Sequence, residues 1–222
     1  MRVRRLRNDR QVPHPVADRR REPARQVGVL LLTALAACPC GSHAGGDRPP
    51  AAPAGSFSIP RSQGPVIIDG KGDERSWQSA FRSPVFQDTG GRAVPFTELR
   101  ATADDQFLYL EVYVGDIDIE SVGDVVKLDV GPVHVELTPK GATAPAGVRT
   151  AVDTEDTVDN PKDMDEEWVN EVAIPWSMLG SHEVPVRALR IDVGHGDRPH
   201  ALAWPLAAPA LLRFDAEAGS GR

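Results

Sequence analysis

Cysteine is almost absent from this chain of 222 residues, and the two it has, Cys38 and Cys40, lie close together near the N-terminus. No disulfide can therefore cross-link the body of the chain. Aromatic residues make up only 5%, which leaves few rings for stacking platforms. No apolar run approaches the roughly 20 residues that a membrane-spanning helix needs. The patterns G-x-S-x-G, G-x-x-x-x-G-K-S/T and H-E-x-x-H do not occur, so the nucleophile elbow, the phosphate loop and the zinc-protease helix have no footing here. Positive charge is also scarce where it would matter. Residues 1–37 hold nine Arg against Asp9, Asp18 and Glu22, a net of +6, so the overall −7 leaves −13 for the rest. An acidic body of that kind excludes a nucleic-acid partner, whose phosphates demand Lys and Arg, and suits a cation.

What the chain does have is turns, with twenty Pro and twenty Gly, and between them short alternating segments. The clearest is Phe107–Gly115: Leu108, Leu110, Val112 and Val114 share one face, and Phe107, Tyr109, Glu111 and Tyr113 the other. Phe96–Ala103 precedes it across the Asp104-Asp105-Gln106 turn. Asp124–Val130 and Val133–Thr138 form a hairpin over Gly131-Pro132. Pro65–Asp69, Phe81–Gln87, Gly147–Val152, the Trp168 strand, Val186–Gly194 and Ala201–Trp204 complete the set. Short helical turns follow Asp73, the expected N-cap, and Pro175. The pattern predicts an all-β fold, an antiparallel jelly-roll-like β-sandwich of about ten strands with two short helical turns.

At the N-terminus, Val27–Ala37 has the length of a signal-peptide core and follows Arg25. Leu35-Ala36-Ala37-Cys38 resembles the bacterial lipobox, which implies cleavage before Cys38 and lipid on its thiol and amine. The expected plan is a signal peptide over 1–37 with a long n-region, a Gly/Ala/Ser/Pro-rich tether over 38–58, the sandwich over 59–206, and a partly disordered tail over 207–222. Lipid anchoring would hold the protein at a bacterial cell envelope, periplasm-facing or at the cell surface.

Two ordered motifs frame the strands. Ile68-Asp69-Gly70 with Asp73-Glu74 and Trp77 stands upstream; Trp168, Glu171-Val172-Ala173-Ile174-Pro175-Trp176 and Leu179 stand downstream. Together they resemble the family 9 carbohydrate-binding module and its carbohydrate-binding-like relatives. The resemblance implies a β-sandwich, a sugar held between tryptophans, and structural calcium.

From the residues themselves, Trp168, flanked by Glu166 and Glu167, and the strand face of Tyr109, Glu111 and Tyr113 are the candidate ligand-binding groups, because apolar sugar faces stack on rings and carboxylates read hydroxyls. Trp77, Trp176 and Trp204 read as core. Asp116, Asp118 and Asp124 are the candidate Ca²⁺ ligands, since loop carboxylates at alternate positions supply oxygens to a hard cation. The acidic run Asp153–Glu167 admits a second reading, a solvated face. His195 and His200 flank a Gly/Pro turn and read as surface residues. Met164 and Met178 have no histidine partner placed by any motif, so no haem is expected.

The functional expectation is a non-catalytic envelope lipoprotein that binds a carbohydrate or other small ligand. The alternative is a structural or protein-interaction lipoprotein with no sugar ligand, its acidic loops the contact. N-terminal sequencing of the mature protein is expected to find no free amine upstream of Cys38; an unblocked N-terminus before that residue rules out the lipid anchor.

Overall fold

The computed structural model describes residues 54–88, 96–155, 157–160, 162, 164–192 and 200–215. The leader, Cys38, Cys40, most of the tether, His195 and the end of the tail lie outside the described residues.

Two sheets form. The first has five strands in the order β2 (Phe81–Arg82), β4 (Thr97–Ala103), β5 (Phe107–Gly115), β10 (Glu167–Pro175) and β9 (Arg149–Thr154). The second runs β1 (Ser56–Ile59), β13 (Ala210–Phe214), β11 (Glu183–Asp192), β6 (Val125–Val130), β7 (Val133–Thr138) and β8 (Gly141–Thr143). β12 (His200–Trp204) pairs with the far half of β11, and β3 (Gln87–Asp88) pairs with β12. Pairings between these strands are antiparallel except that of β1 with β13.

The period-two pattern decides which side of each strand is dry. In the five-stranded sheet, Leu108, Leu110, Val112 and Val114 stand opposite Ile174, Val172, Asn170 and Trp168 on one side. On the other side they meet Ala103, Ala101, Leu99 and Thr97. This inner face packs on Val126, Leu128, Val186, Ala188, Leu202 and Leu212 of the second sheet, all buried. β10 ends at Pro175, whose ring cannot donate to the ladder, and α2 (Trp176–Leu179) follows it at once.

The outer face of the five-stranded sheet is half covered by residues 60–80, and that cover depends on one carboxylate. Glu171 Oε2 accepts the backbone N–H of Asp69 and Gly70, each at 2.9 Å. Glu171 Oε1 accepts the N–H of Gly72 at 3.1 Å and the Trp77 indole N–H at 2.9 Å. Trp77 lies on α1 (Arg75–Gln78) and packs with Val66, Tyr109 and Ala173 into a second small core. Only glycine fits the turn. A Cβ at Gly70 would sit 2.5 Å from the Val152 carbonyl carbon, and one at Gly72 would sit 2.8 Å from Glu111 Oε2.

Several expectations are corrected. Pro65–Asp69 forms no strand: its N–H groups go to side chains, Ile67 to Glu74 Oε1 at 2.8 Å and Asp69 to Glu171, so the apolar run lies across the sheet without joining it. Asp73 does not cap α1; Glu74 holds the N-cap position with no side-chain cap bond. Phe81–Gln87 divides at Ser83-Pro84 into β2 and β3, which belong to different sheets. The sandwich also extends beyond 59–206. β1 falls in the stretch read as tether, and β13 falls in the stretch read as tail.

Glu171→Gln turns an amide NH₂ toward two N–H donors and removes the charge that strengthens the others. Hydrogen bonds to charged groups contribute about 1.5–3 kcal/mol each, so we expect a loss of about 3–5 kcal/mol in urea unfolding, and a smaller loss for Trp77→Phe. A Glu171→Gln protein as stable as the wild type would show that the cover is held by other contacts.

Candidate functional site

On the outer face, strand register lays a row of charge across the sheet: Arg82, Arg100, Glu111 and Glu171 stand side by side on β2, β4, β5 and β10. Glu98 lies next to this row. Its Oε1 accepts Arg82 Nη1 and Arg100 Nε, both at 2.7 Å. Arg100 Nη1 also donates to Glu111 Oε1 at 2.5 Å. Glu111 is buried directly opposite Glu171, two like charges whose repulsion a sheet does not tolerate without compensation. Burial pushes the Glu111 carboxyl up to about 7; Arg100 pulls it down and Glu171 pushes it further up. Burial also raises Glu171, against the N–H groups of Gly70, Asp69 and Gly72 that hold its anion.

The cover divides the candidate ligand residues. Tyr109 is 4% exposed beneath Val66 and Trp77, and its hydroxyl donates to Asp104 Oδ2 at 2.7 Å. Burial first, then Asp104, pushes that phenol up to about 12. Tyr109 is therefore part of a packed layer and offers no platform. Trp168 is 0% exposed: it shares strand parity with Val172 and Ile174, so it points into the core despite its acidic neighbours. Trp77, Trp176 and Trp204 are buried too, so no pair of exposed indoles stands ready to sandwich a sugar.

Tyr113 is different. It lies past the edge of the cover, half-buried, with Phe96 edge-on at 5.6 Å between ring centroids and the Arg100 guanidinium 5.8 Å from its ring centre. Phe96 is 43% exposed. Glu98 and Val169 flank Tyr113 on the two neighbouring strands, and Glu167 stands one pair further on, opposite Gly115. Burial raises the Glu167 carboxyl while Arg100 opposes the rise. The open half of the face thus joins two rings to Arg82, Arg100, Glu98 and Glu167. Sequence reasoning found Tyr113 by alternation; it passed over Arg100 although the turn at Asp104–Gln106 sets β4 beside β5, and it missed Arg82 because nothing in one dimension places β2 beside β4.

A second cluster sits between the sheets at the same end of the sandwich. Asp116, Asp124 and Asp192 are all buried, with one oxygen of each within 4.8 Å of the others. Arg190, fully buried, donates from Nη2 to Asp116 Oδ2 at 2.9 Å and lies 3.3 Å from Asp192 Oδ2. Its Nη1 donates to Thr97 Oγ1 and the Gly115 carbonyl. Of the residues expected to hold calcium, Asp116 and Asp124 lie in this group and Asp118 does not; Asp192 from β11 is its third member.

Among the described residues this dry site gathers three carboxylates around the Arg190 guanidinium, with the backbone N–H of Asp118 on Asp116 and that of Glu120 on Asp124. Burial pushes Asp116 up to about 7, Arg190 opposing and Asp124 and Asp192 reinforcing. This donor set fits a hard divalent cation in chemistry and in charge. Asp69, Glu74 and Glu171 also gather within 4.8 Å, but Glu171 already accepts four N–H groups, whose dipoles oppose a cation.

No family model matches the chain, and no curated protein matches it. Solved structures do. One is a carbohydrate-binding module of family 9 from Caldicellulosiruptor kristjanssonii in complex with cellotriose, TM-score 0.53, 15% identical, covering 75% of this chain and 98% of that one. Its complex with glucose superposes at 0.52 with 14% identity, over 75% and 100%. The fold is that of a family 9 carbohydrate-binding module. The structure of a protein from Bacteroides uniformis, provisionally described as carbohydrate-binding, superposes at TM-score 0.53 with 13% identity, over 72% of this chain and 99% of that one.

For the metal-free protein the sign of the pH dependence follows directly. Asp116 and Glu111 titrate near 7 when folded and near 4 when unfolded, so between those values the folded state keeps protons that the unfolded state has lost. Stability then falls as pH rises from about 4 to about 7. With chelator present, we expect a lower melting temperature at pH 8 than at pH 5. A profile that is flat, or rises with pH, would show both groups ionised in the fold throughout.

Proposed function

We propose that this protein is a non-catalytic binding module that holds a carbohydrate on the open half of its five-stranded sheet. One observation carries the reading: Phe96 and Tyr113 present an exposed ring and a half-buried ring beside Arg82, Arg100, Glu98 and Glu167. Rings match the apolar face of a pyranose, and a fixed fork of guanidinium and carboxylate groups matches its hydroxyls. The likeness to family 9 modules crystallised with cellotriose and glucose supports a sugar ligand. Binding without transformation is supported by the state of the central carboxylates. Glu111 and Glu171 are sealed under residues 60–80 and committed to Arg100 and to the Gly70–Gly72 turn.

The reading extends to a cation and to an anchor. Asp116, Asp124 and Asp192 would hold Ca²⁺ between the sheets, one carboxylate oxygen of each lying within 4.8 Å of the others. The ion would tie the β5–β6 connection to β11. Lipid at Cys38 would keep the module at the bacterial envelope, with the Gly/Ala/Pro-rich stretch as its tether.

The sugar reading is tested by calorimetric titration with glucose, cellotriose and a panel of plant, bacterial and storage polysaccharides. Tyr113→Ala and Phe96→Ala are each expected to weaken binding by about tenfold, about 1.4 kcal/mol, with the melting temperature unchanged. A flat response across the whole panel overturns the proposal. For the ion, calcium is expected to raise the melting temperature at pH 8 more than at pH 5, since protons compete for Asp116, and Asp192→Asn should remove most of that gain. Equal melting temperatures in calcium and in chelator would dismiss the site.

A further inference from the structure

The five-stranded sheet ends on β9, and among the described residues the ladder of that strand runs to β10 alone. A sheet margin presents a row of unused N–H and C=O groups, and folded chains blunt that hazard by keeping such strands short. The other margins follow the rule: β2 and β3 have two residues each, β8 three and β1 four. β9 does not. It runs for six residues, Arg149–Thr154, with no proline or glycine to interrupt it. Thr150, Val152 and Thr154 stand in the inward row with Val172, Asn170 and Trp168, yet they are only half-buried, and Val152 packs on the main core.

Two charged residues stand on β9, both in the outward row that contains Ala173, Glu171 and Val169. Arg149 and Asp153 are four residues apart, about 13 Å along a strand, so they cannot meet within one chain. Neither forms an ion pair among the described residues. The Arg149 guanidinium lies 4.5 Å from the centre of the Phe107 ring and against Tyr109, which leaves most of its five N–H donors for a carboxylate. The two charges are symmetric about Ala151. A second β9 turned antiparallel about an axis through Ala151 sets each Arg149 opposite the partner's Asp153, and each Thr150 opposite the partner's Val152. Outward residues then meet outward ones and inward meet inward, as a continuous sheet requires. A strand of another protein would have to reproduce this order of charge; a second copy has it already.

We infer that two copies of this chain pair through β9 about a two-fold axis at Ala151, making one antiparallel sheet of both five-stranded sheets. Each copy would complete the ladder that the other leaves unused, with two opposite-charge pairs across the axis and the half-buried Thr150 and Val152 covered. The axis stands normal to the sheet, so both Tyr113 faces would look the same way. On the sugar reading, one long glycan would then engage both copies; the pairing itself does not depend on that reading.

The test uses the full chain with Cys38→Ser and Cys40→Ser, so that neither lipid nor a stray disulfide joins copies, and reads mass by sedimentation equilibrium over a wide range of concentration. A reversible dimer is expected. Asp153→Arg sets like charges opposite each other and should weaken the dimer at least about tenfold, with the melting temperature unchanged. Adding Arg149→Asp to that variant should restore the dimer, since the pairs re-form with their charges exchanged. Independently, Ala151→Cys in the same background should oxidise to a linked dimer, because directly opposed residues have Cα atoms about 4.5–5.5 Å apart. Thr150→Cys, which would face the partner's Val152, should not. A monomer at every concentration, a dimer indifferent to Asp153→Arg, a folded double variant that stays monomeric, or equal cross-linking of the two cysteine variants would each overturn the inference.

Discussion

The Glu171 carboxylate is the joint on which the arrangement of this molecule depends. A buried anion needs its lone pairs filled, and here four N–H groups fill them: three from the backbone of a glycine turn and one from an indole. The turn in turn puts those backbone donors to no ladder, since residues 69–72 lie outside any strand. Each side therefore supplies what the other lacks, and neither is satisfied alone. The two sequence motifs are far apart in the chain, yet they are halves of a single contact.

From that contact comes the division of the outer sheet face. Once residues 60–80 are fixed over β5 and β10, Tyr109 and Ala173 become core, while Tyr113 stays beyond the edge. The Glu111 carboxyl lies under the turn and holds Arg100, whose Nε reaches Glu98 and whose plane lies near Tyr113. The cover and the open face are thus linked through one arginine. A change at the turn reaches the candidate site by displacing Arg100, not by touching a ligand.

Much of this was legible from the residues, and the failures have physical causes. Alternation placed β4, β5, β6, β7 and β10 because each buries one face in the sandwich, which is what a period of two records. The same parity set Trp168 with Val172 and Ile174; its acidic neighbours Glu166 and Glu167 drew attention away from that stronger signal. Val66-Ile67-Ile68 has strand composition, but composition does not say whether a segment joins a ladder or lies across one. β1 and β13 are short and pair in parallel at the sheet's margin, so they have neither length nor a hairpin turn to announce them. Asp192 is far in sequence from Asp116, and only the pairing of β11 with β6 brings it near.

The chain solves the problem of buried carboxylates in two ways, and the contrast says where its remaining chemistry lies. At Glu171 the donors are neutral, numerous and fixed by backbone geometry, so the site is complete and rigid. Between the sheets, Arg190 meets three aspartates with a single charge, and its Nη1 is spent on Thr97 and the Gly115 carbonyl. Burial first, then Asp124 and Asp192, holds the Asp116 proton to about 7 against the pull of Arg190. A proton on Asp116 below about 7 lowers the repulsion among the three aspartates, and it is lost as pH rises. That titration ties the loop after β5 to pH, and on the far side of the same sheet Glu111, raised to about 7 beside the N–H groups that hold Glu171, does the same for the cover.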